Sequence, residues 1–385
     1  MIYMMISIIL ILYSGINYYI SIWFWKNLCS MIPFFNSEIY FSFFFIIFII
    51  SLVGVIWNRH IPKFLHDGIY LIASYWLAVI LYFAIFIGMI ECFFILGKTL
   101  QFIPSDIKLN ANVLFYIALI ILFTVMIIIL YGTINAKNAT ITPYNIDLPR
   151  KAGKISKLQI AFLSDIHLGN LMDKRIDKLI DKINSIQPDI VLIAGDIIDS
   201  NRDMINYDFS KMQSNFKKIK SKYGIYACLG NHDYDHKGDS SNRINNFKKV
   251  GVNILRDSYV KIDDSFYVIG REDISYERIS GIRRKKLSET VNEISGELPI
   301  IVLDHQPNNL NEPVSEGIDL QLSGHTHKGQ FFPFNLITKR VFKIDYGYLK
   351  MDKFQIIVSC GTRTWGPPIR IGSKCEIVNI NVTFK

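Results

Sequence analysis

Cysteine is scarce in this sequence of 385 residues and is not arranged in pairs. The five cysteines are an odd number and include no Cys-x-x-Cys motif, which argues against a disulfide framework and against a zinc cluster built on thiolates. Cys92 falls inside an apolar stretch, and Cys29 lies four residues after the end of another. Cys228 lies in an apolar strand pattern, so we expect it to be a small residue of the core.

Charged residues are nearly absent from the first 134 positions, which hold only five Lys or Arg and four Asp or Glu. The rest of the chain holds 37 basic and 29 acidic residues, so the formal net charge of +9 divides into +1 and +8. This change predicts a membrane-embedded part followed by a soluble domain. Because no dense Lys/Arg run is interleaved with aromatic residues, nucleic-acid binding is disfavoured, and membrane lipids or an anionic substrate are the expected partners.

Four apolar stretches in the first part approach or exceed the length of about 20 residues that a helix needs to cross a bilayer. They cover Ile2–Trp25, Ile39–Trp57, Tyr70–Leu96 and Val113–Tyr131. The first stretch lacks the basic start and small-residue cleavage site of a signal peptide, so we interpret it as a retained helix. Basic residues near the ends of the spans favour a multi-pass protein of the cell (inner) membrane whose soluble domain faces the cytoplasm.

The second part of the sequence reads as an α/β domain. We expect a membrane domain over residues 1–134, a polar linker over 135–157 and a folded domain over 158–385, in which short apolar runs alternate with amphipathic segments. The apolar runs predict buried strands at Leu158–Leu163, Ile190–Ala194, Ile225–Leu229, Pro299–Leu303 and Ile318–Leu322. The C-terminal piece from Phe354 onward is richer in strand patterns, with alternation of apolar and polar residues over Cys375–Phe384, and predicts a second sheet.

Polar side chains of a few types follow all five predicted strands directly. In chain order they are Asp165 and His167, Asp196, Asn231 with His232 and Asp233, His305, and finally His325 and His327. Five of the eight histidines of the chain are in this set. Open α/β sheets bind ligands outside the carboxyl ends of their strands, so we expect these side chains to converge. Carboxylate, imidazole and amide oxygen donors together suit Mn, Fe, Zn or similar ions, and an Asp that bridges two ions would make a paired site.

Each of these pieces has a plainer interpretation when taken alone. An Asp-x-His pair arises by chance, and His325 and His327 could be exposed loop residues after Gly324. The apolar segment Phe331–Phe334, directly after them, could belong to the core or could meet a lipid headgroup at the bilayer surface. The occurrence of five suitable pieces after five predicted strands favours the metal site over these alternatives.

The ordered set of candidate ligands resembles the full signature of the calcineurin-like metallophosphoesterases, and the resemblance covers residues 157–384. Within that superfamily, Ser323–Gln330 and Ser359–Gly372 are similar to the membrane-associated bacterial branch of YkuE-like and YaeI-like phosphoesterases. The resemblance implies an α/β domain with two mixed β-sheets flanked by helices, a four-layer sandwich, after an N-terminal multi-span α-helical membrane region.

The resemblance also implies a role for each residue. One divalent ion (Mn, Fe or Zn) would be held by Asp165, His167 and His327, the second by Asn231, His305 and His325, with Asp196 bridging the two. His232 would be the catalytic acid, and Asp233 would orient it. Lys328 departs from the branch, which usually has Gly there, and could either contact a substrate phosphate or be a solvated loop lysine.

The expected activity is therefore metal-dependent hydrolysis of a phosphoester or pyrophosphate bond by a membrane-anchored enzyme. The branch and the anchor favour a phosphorylated, lipid-linked small molecule, with UDP-2,3-diacylglucosamine of lipid A biosynthesis as the first candidate. A membrane-tethered phosphodiesterase or protein phosphatase fits the same residues. A non-catalytic membrane module would be expected to lack a ligand, and the set here is complete. The sequence indicates no protein partner.

Overall fold

A computed structural model describes residues 2–57, 61–104, 110–169, 176–198, 209–234, 240–294 and 296–385 of the chain. The chain divides into two compact units, Met1–Gly132 and Thr133–Lys385.

The first unit is built from long apolar helices. They are α1 (Ile2–Asn27), α2 (Ser37–Ile56), α3 (Lys63–Thr99) and α4 (Ala111–Asn135), whose last residues belong to the second unit. All four are long and apolar enough to cross a membrane, as the sequence predicted. Asn36 caps α2 by accepting hydrogen bonds from the amides of Glu38 and Ile39. Inside the unit, the indole N–H of Trp76 donates to Asn17 Oδ1 at 2.9 Å, since hydrocarbon offers such groups no other partner.

The second unit contains two six-stranded sheets, of which the first carries the amino-terminal half of the candidate site. Its strand order is β1 (Thr140–Leu148), β12 (Glu376–Phe384), β2 (Lys157–Leu163), β3 (Ile190–Ala194), β4 (Ile225–Cys228) and β5 (Val252–Ile254). Strands β2 to β5 are parallel, and β12 runs antiparallel to β2 and parallel to β1. The carboxyl ends of β2, β3 and β4 therefore lie side by side.

The second sheet carries the rest of the site. Its order is β10 (Gly347–Met351), β11 (Phe354–Val358), β9 (Leu320–Ser323), β8 (Ile300–Leu303), β7 (Phe266–Gly270) and β6 (Ser258–Ile262). The four inner strands are parallel, and the edge strands β10 and β6 are antiparallel to their neighbours. All five strands predicted between residues 158 and 322 are present, with bounds that differ by at most two residues.

Helices cover the outer faces of the sheets. They are α5 (Ile176–Ser185), α6 (Phe209–Phe216), α7 (Ser241–Lys249), α8 (Ser275–Ser280), α9 (Leu287–Asn292) and α10 (Asn311–Ser315). A further helix, α11 (Phe334–Val341), has no buried residue.

Alternation along the strands builds three apolar layers. Leu163 and Ile193 point toward α5, whereas their neighbours Phe162 and Leu192 point toward the second sheet. Buried side chains such as Val302 fill the outer face of that sheet. Because side chains of a strand alternate between its two faces, both sheets are apolar on both sides and need cover on both. This arrangement confirms the predicted four-layer sandwich, and Cys228 is confirmed as a buried core residue between the sheets.

The segment expected to be a linker contributes a strand, so the linker prediction was wrong for residues 140–148. Strand β1 pairs with β12 from Thr140 opposite Glu376 to Leu148 opposite Phe384. It lies at the edge of its sheet, where a proline such as Pro143 and outward-facing polar residues are tolerated. Tyr144, Ile146 and Leu148 alternate with polar residues, so the sequence did contain a strand signal after Pro143.

Candidate metal centre

The predicted ligands converge in two groups of donor atoms. The first group consists of Asp165 and His167, after β2, and His327, after β9, whose ligand atoms all lie within 4.8 Å of one another. The Nε2 atom of His327 is 3.2 Å from Asp165 Oδ1 and 3.3 Å from His167 Nε2. Donors bound to one ion at about 2.0 to 2.2 Å in tetrahedral geometry are separated by about 3.4 Å, so these spacings suit a common ion.

The second group consists of Asp196, after β3, with His305 and His325, after β8 and β9. The Nε2 atom of His305 is 3.3 Å from Asp196 Oδ2 and 3.2 Å from Asn231 Oδ1. The same Asp196 oxygen is 3.8 Å from His167 Nε2 in the first group. The Asp196 carboxylate therefore lies between the two groups, where a bridging ligand is needed.

Backbone conformation singles out the same residues. Asp165, His167, Asp196, His325 and His327 all have positive φ angles, between 45° and 69°. Such conformations cost an L-residue roughly 1–2 kcal/mol each and persist where the surroundings enforce them. Backbone hydrogen bonds do so here, from the amide of Asp165 to the carbonyl of Gly195 at 3.1 Å and from that of His167 to the carbonyl of Asp196 at 3.0 Å. A concentration of strained residues is typical of a functional site.

Two glycines allow the turns to approach the carboxylates. A Cβ atom at Gly230 would lie 2.3 Å from Asp196 Oδ1, and one at Gly324 would lie 2.4 Å from Asp165 Oδ2. Any other residue at either position would displace a ligand.

Burial and charge set the protonation of the ligands. Burial lowers the pKa of His167 to about 3 and that of His325 to about 4, so both imidazoles are neutral at neutral pH. Burial alone would raise the pKa values of Asp165 and Asp196. The neighbouring histidine outweighs burial in each case, and both pKa values lie below the usual range; the histidine is His327 for Asp165 and His305 for Asp196. The centre therefore presents two ionised carboxylates and the neutral imidazoles of His167 and His325, which are the protonation states that bind metal.

The residues fit a pair of divalent ions. The Nδ1 atom of His305 lies 2.8 Å from the carbonyl of Ala194, an acceptor, so it carries the proton of the neutral ring and Nε2 presents a lone pair to the oxygens of Asp196 and Asn231. Three acceptor atoms that face one another need a cation among them. In the metal-free protein, His305 keeps a second proton that supplies this positive charge. Burial would lower the pKa of His305, but the charge of Asp196 outweighs burial and raises that pKa well above its ordinary value.

His232 lies beside the ligands. Its half-buried imidazole meets the ring of His167 edge-on, with 5.1 Å between ring centroids, and lies 6.3 Å from the ring of Trp365. Its backbone amide donates to Asp196 Oδ1 at 2.8 Å. The ring is thus fixed next to the centre, where it can reach a group bound by the ions.

Asp233, which was expected to orient His232, contacts the backbone of two neighbouring turns. Its fully buried carboxylate accepts hydrogen bonds from the amides of Gly230, Ile197 and Ile198 at 2.8 to 3.2 Å. Burial, together with the charge of Asp196, raises the pKa of Asp233 to about 6 despite these bonds. Asp233 therefore holds together the turns after β3 and β4.

Arg370, for which no role was predicted, is fully buried behind His327. Its guanidinium donates to the carbonyl of His327 at 3.2 Å and lies 3.0 Å from Nδ1 of the same residue. It also donates to the carbonyl of Arg363 at 2.6 Å. One signal was available: Arg370 is a lone basic residue in a run of Gly, Pro and Ile from Gly366 to Gly372.

Lys328 has a partner within the protein. Its ammonium lies 4.3 Å from the centroid of the Tyr346 ring. This cation–π contact stabilises the lysine beside the ligand loop.

Two sheets whose strand ends present paired metal ligands define a metal-dependent hydrolase with a two-ion centre. Residues 158–329 match the sequence model of a family described as "Calcineurin-like phosphoesterase". An uncharacterized metallophosphoesterase of Campylobacter jejuni is 30% identical over 404 residues, which cover 100% of both chains. The chain therefore belongs to the calcineurin-like phosphoesterase family, whose members are dinuclear metal enzymes, and it is a metal-dependent phosphoester hydrolase.

Two further relatives show how the parts are combined elsewhere. A transmembrane protein with metallophosphoesterase domain from Danio rerio is 28% identical over 315 residues, 78% of this chain and 70% of the relative. An uncharacterized metallophosphoesterase of Aquifex aeolicus is 27% identical over 267 residues, 69% of this chain and 99% of the relative. With the four apolar helices, the first of these supports the assignment as a membrane protein.

Proposed function

We propose that this enzyme hydrolyses a phosphoester or phosphoric anhydride bond of a lipid-linked substrate at the centre described above. One ion would be held by Asp165, His167 and His327 and the other by Asn231, His305 and His325, with Asp196 shared between them. The position of Asp196 Oδ2, 3.3 Å from His305 Nε2 and 3.8 Å from His167 Nε2, is the observation that carries the proposal. Mn, Fe and Zn all suit this mixture of oxygen and nitrogen donors.

The protein's own part in the reaction is to hold charges in place. Two divalent ions supply neutralisation of the phosphate charge and a water of lowered pKa. Asp165, Asp196 and His305 are fully or almost fully buried, so water screens their charges weakly and their fields act at nearly full strength. Hydrogen bonds from the backbone amides of His325 and His232 fix the two carboxylates.

We assign to His232 the protonation of the leaving oxygen. It is placed beside His167 and outside both ligand groups, so its ring nitrogens are not needed for metal binding. General acid catalysis of this kind contributes about 10²- to 10⁴-fold to a rate.

Two features support a lipid-linked substrate. The four apolar helices keep the catalytic domain at a bilayer, and residues 135–385 carry a formal charge of +8, which attracts anionic headgroups. A nucleotide-linked glycolipid such as UDP-2,3-diacylglucosamine is the first candidate because it places a pyrophosphate at the membrane surface. We further propose that the protein resides in the cell (inner) membrane with its catalytic domain in the cytoplasm.

The activity test uses the purified full-length chain, loaded with Mn, against UDP-2,3-diacylglucosamine, a simple phosphodiester, a nucleotide and a phosphopeptide. We expect phosphate-bond cleavage of the glycolipid, retention of metal with loss of most turnover in His232→Ala, and loss of both metal and turnover in Asp196→Ala. Cleavage of only the simple diester or the phosphopeptide would remove the lipid substrate. Two outcomes would overturn the proposed metal-dependent hydrolysis: full activity of the metal-depleted enzyme, or no activity of the Mn-loaded enzyme on any of these esters.

The orientation test uses a cysteine at the exposed position of Lys151, in a variant that lacks the exposed Cys92. In intact cells a membrane-impermeant maleimide should leave Lys151→Cys unlabelled until the membrane is opened. Labelling of intact cells would place the catalytic domain outside.

A further inference from the structure

One surface of the catalytic unit exposes an unusual number of apolar side chains. From residue 133 onward, the described chain has eleven exposed large apolar residues, and five of them fall within ten positions. These five are Phe332, Phe334, Leu336, Ile337 and Val341, which are 40% to 67% exposed. Helix α11 has no buried residue. A short amphipathic helix with its apolar side open is typical of a surface that meets another apolar phase.

Charge on this surface has a single sign. Lys339, Arg340 and Lys343 are exposed alongside the apolar side chains. No acidic residue occurs anywhere from Leu320 to Ile344. Apolar side chains combined with basic ones match a bilayer that carries anionic headgroups, since the first enter the acyl boundary and the second pair with phosphates.

The surface is fixed to the metal centre at both ends. The ligand loop enters α11 through Gly329, where a Cβ atom would lie 2.3 Å from the amide of Asn335. At the other end, Phe342 packs edge-on against the ligand His325, with ring centroids 6.3 Å apart. Asp345 ties the two parts together, because its carbonyl accepts a hydrogen bond from Thr326 and its carboxylate accepts one from Thr338.

We propose that the surface formed by residues 332–343 docks onto the anionic bilayer in which the chain is anchored, with the apolar side of α11 in the headgroup boundary. The metal centre is then held at the level of the lipid phosphates by a contact of its own, in addition to the membrane helices. The contact concerns the bilayer itself and does not depend on which phosphoester the enzyme cleaves.

The chain offers a matched pair of positions for the test. Ile337, in the proposed surface, is 55% exposed, and Ile282, elsewhere on the same unit, is 59% exposed. Each is replaced by cysteine in a full-length variant with Cys92→Ser, labelled with an environment-sensitive nitrobenzoxadiazole fluorophore and reconstituted into nanodiscs of phosphatidylcholine and phosphatidylglycerol. The probe at Ile337→Cys should shift its emission to the blue and lose emission to lipids that carry a doxyl quencher, whereas the probe at Ile282→Cys should do neither.

Lipid composition and a charge variant complete the design. Quenching at Ile337→Cys should weaken in nanodiscs of phosphatidylcholine alone and in the added double variant Lys339→Glu, Arg340→Glu. Equal emission and equal quenching at the two probe positions would overturn the proposal. A blue shift without lipid quenching would also overturn it, since it would indicate contact with protein. Both readouts are independent of catalysis. A protein that showed the expected blue shift and lipid quenching but no enzymatic activity would therefore contradict only the proposed reaction.

Discussion

Replacement of Arg370 gives the most direct test of how the protein holds its metal ligands. The buried guanidinium contacts both the carbonyl and the Nδ1 atom of His327 and reaches the carbonyl of Arg363. Arg370→Met keeps an unbranched apolar stem but removes every donor. The His327 imidazole is then free to turn away from Asp165, which lies 3.2 Å from its Nε2 atom.

The expected magnitude follows from these contacts. Loss of a residue that orients a metal ligand typically costs about 10- to 100-fold in metal affinity, or roughly 1.4 to 2.7 kcal/mol. Hydrogen bonds to charged groups contribute about 1.5 to 3 kcal/mol each to stability, and single substitutions rarely exceed about 5 kcal/mol, so Arg370→Met should also destabilise the fold by roughly 3 to 5 kcal/mol. Arg370→Lys keeps the charge but offers one donor atom, which cannot span His327 and Arg363, so a smaller loss is expected.

The assay is calorimetric titration of the metal-depleted full-length chain with Mn. The parent and the exposed control variant Arg278→Met should show the same two affinities. In Arg370→Met, the affinity of the site formed by Asp165, His167 and His327 should fall by the stated factor. If the variant does not fold, Arg370→Lys takes its place. Unchanged affinities in a folded Arg370 variant would refute the role of this residue.

Two further predictions concern the second ligand group. Because His305 keeps a proton in the metal-free protein, Mn binding at neutral pH should release about one proton, and metal affinity should rise with pH. The same raised pKa stabilises the metal-free fold at low and neutral pH, and that contribution is lost as pH rises through it. Titration in buffers of different ionisation enthalpy measures the release, and a heat independent of the buffer would contradict it. The variant Gly230→Ala should lose bound metal, because its Cβ atom would lie 2.4 Å from the amide nitrogen of Asp196. Elemental analysis of the purified variant measures the metal content, and two ions per chain would contradict this prediction.

Local patterns in the sequence determined the elements and the composition of the candidate site. Runs of apolar residues suffice to mark membrane helices, because a bilayer imposes a minimum length of about 20 residues. Buried parallel strands such as Ile190–Ala194 are recognisable because they are apolar on both faces. Residues after such strands share one edge of a sheet, so the positions of Asp196 and Asn231 along the chain suffice to predict that they lie close together.

Features that depend on contacts between distant segments of the chain were determined only by the tertiary structure. Strand β1 is held by β12, which lies more than 230 residues later, and the short alternation of Tyr144, Ile146 and Leu148 with polar residues does not identify that partner. Asp233 binds the backbone of Ile197 and Ile198, and Arg370 reaches His327 across a fold that brings distant loops together. The exposure of Phe332 and Phe334 likewise depends on what packs against them, which apolar character does not specify. Sequence records which chemical groups are present in a segment, whereas contacts between segments arise only when the sheets assemble.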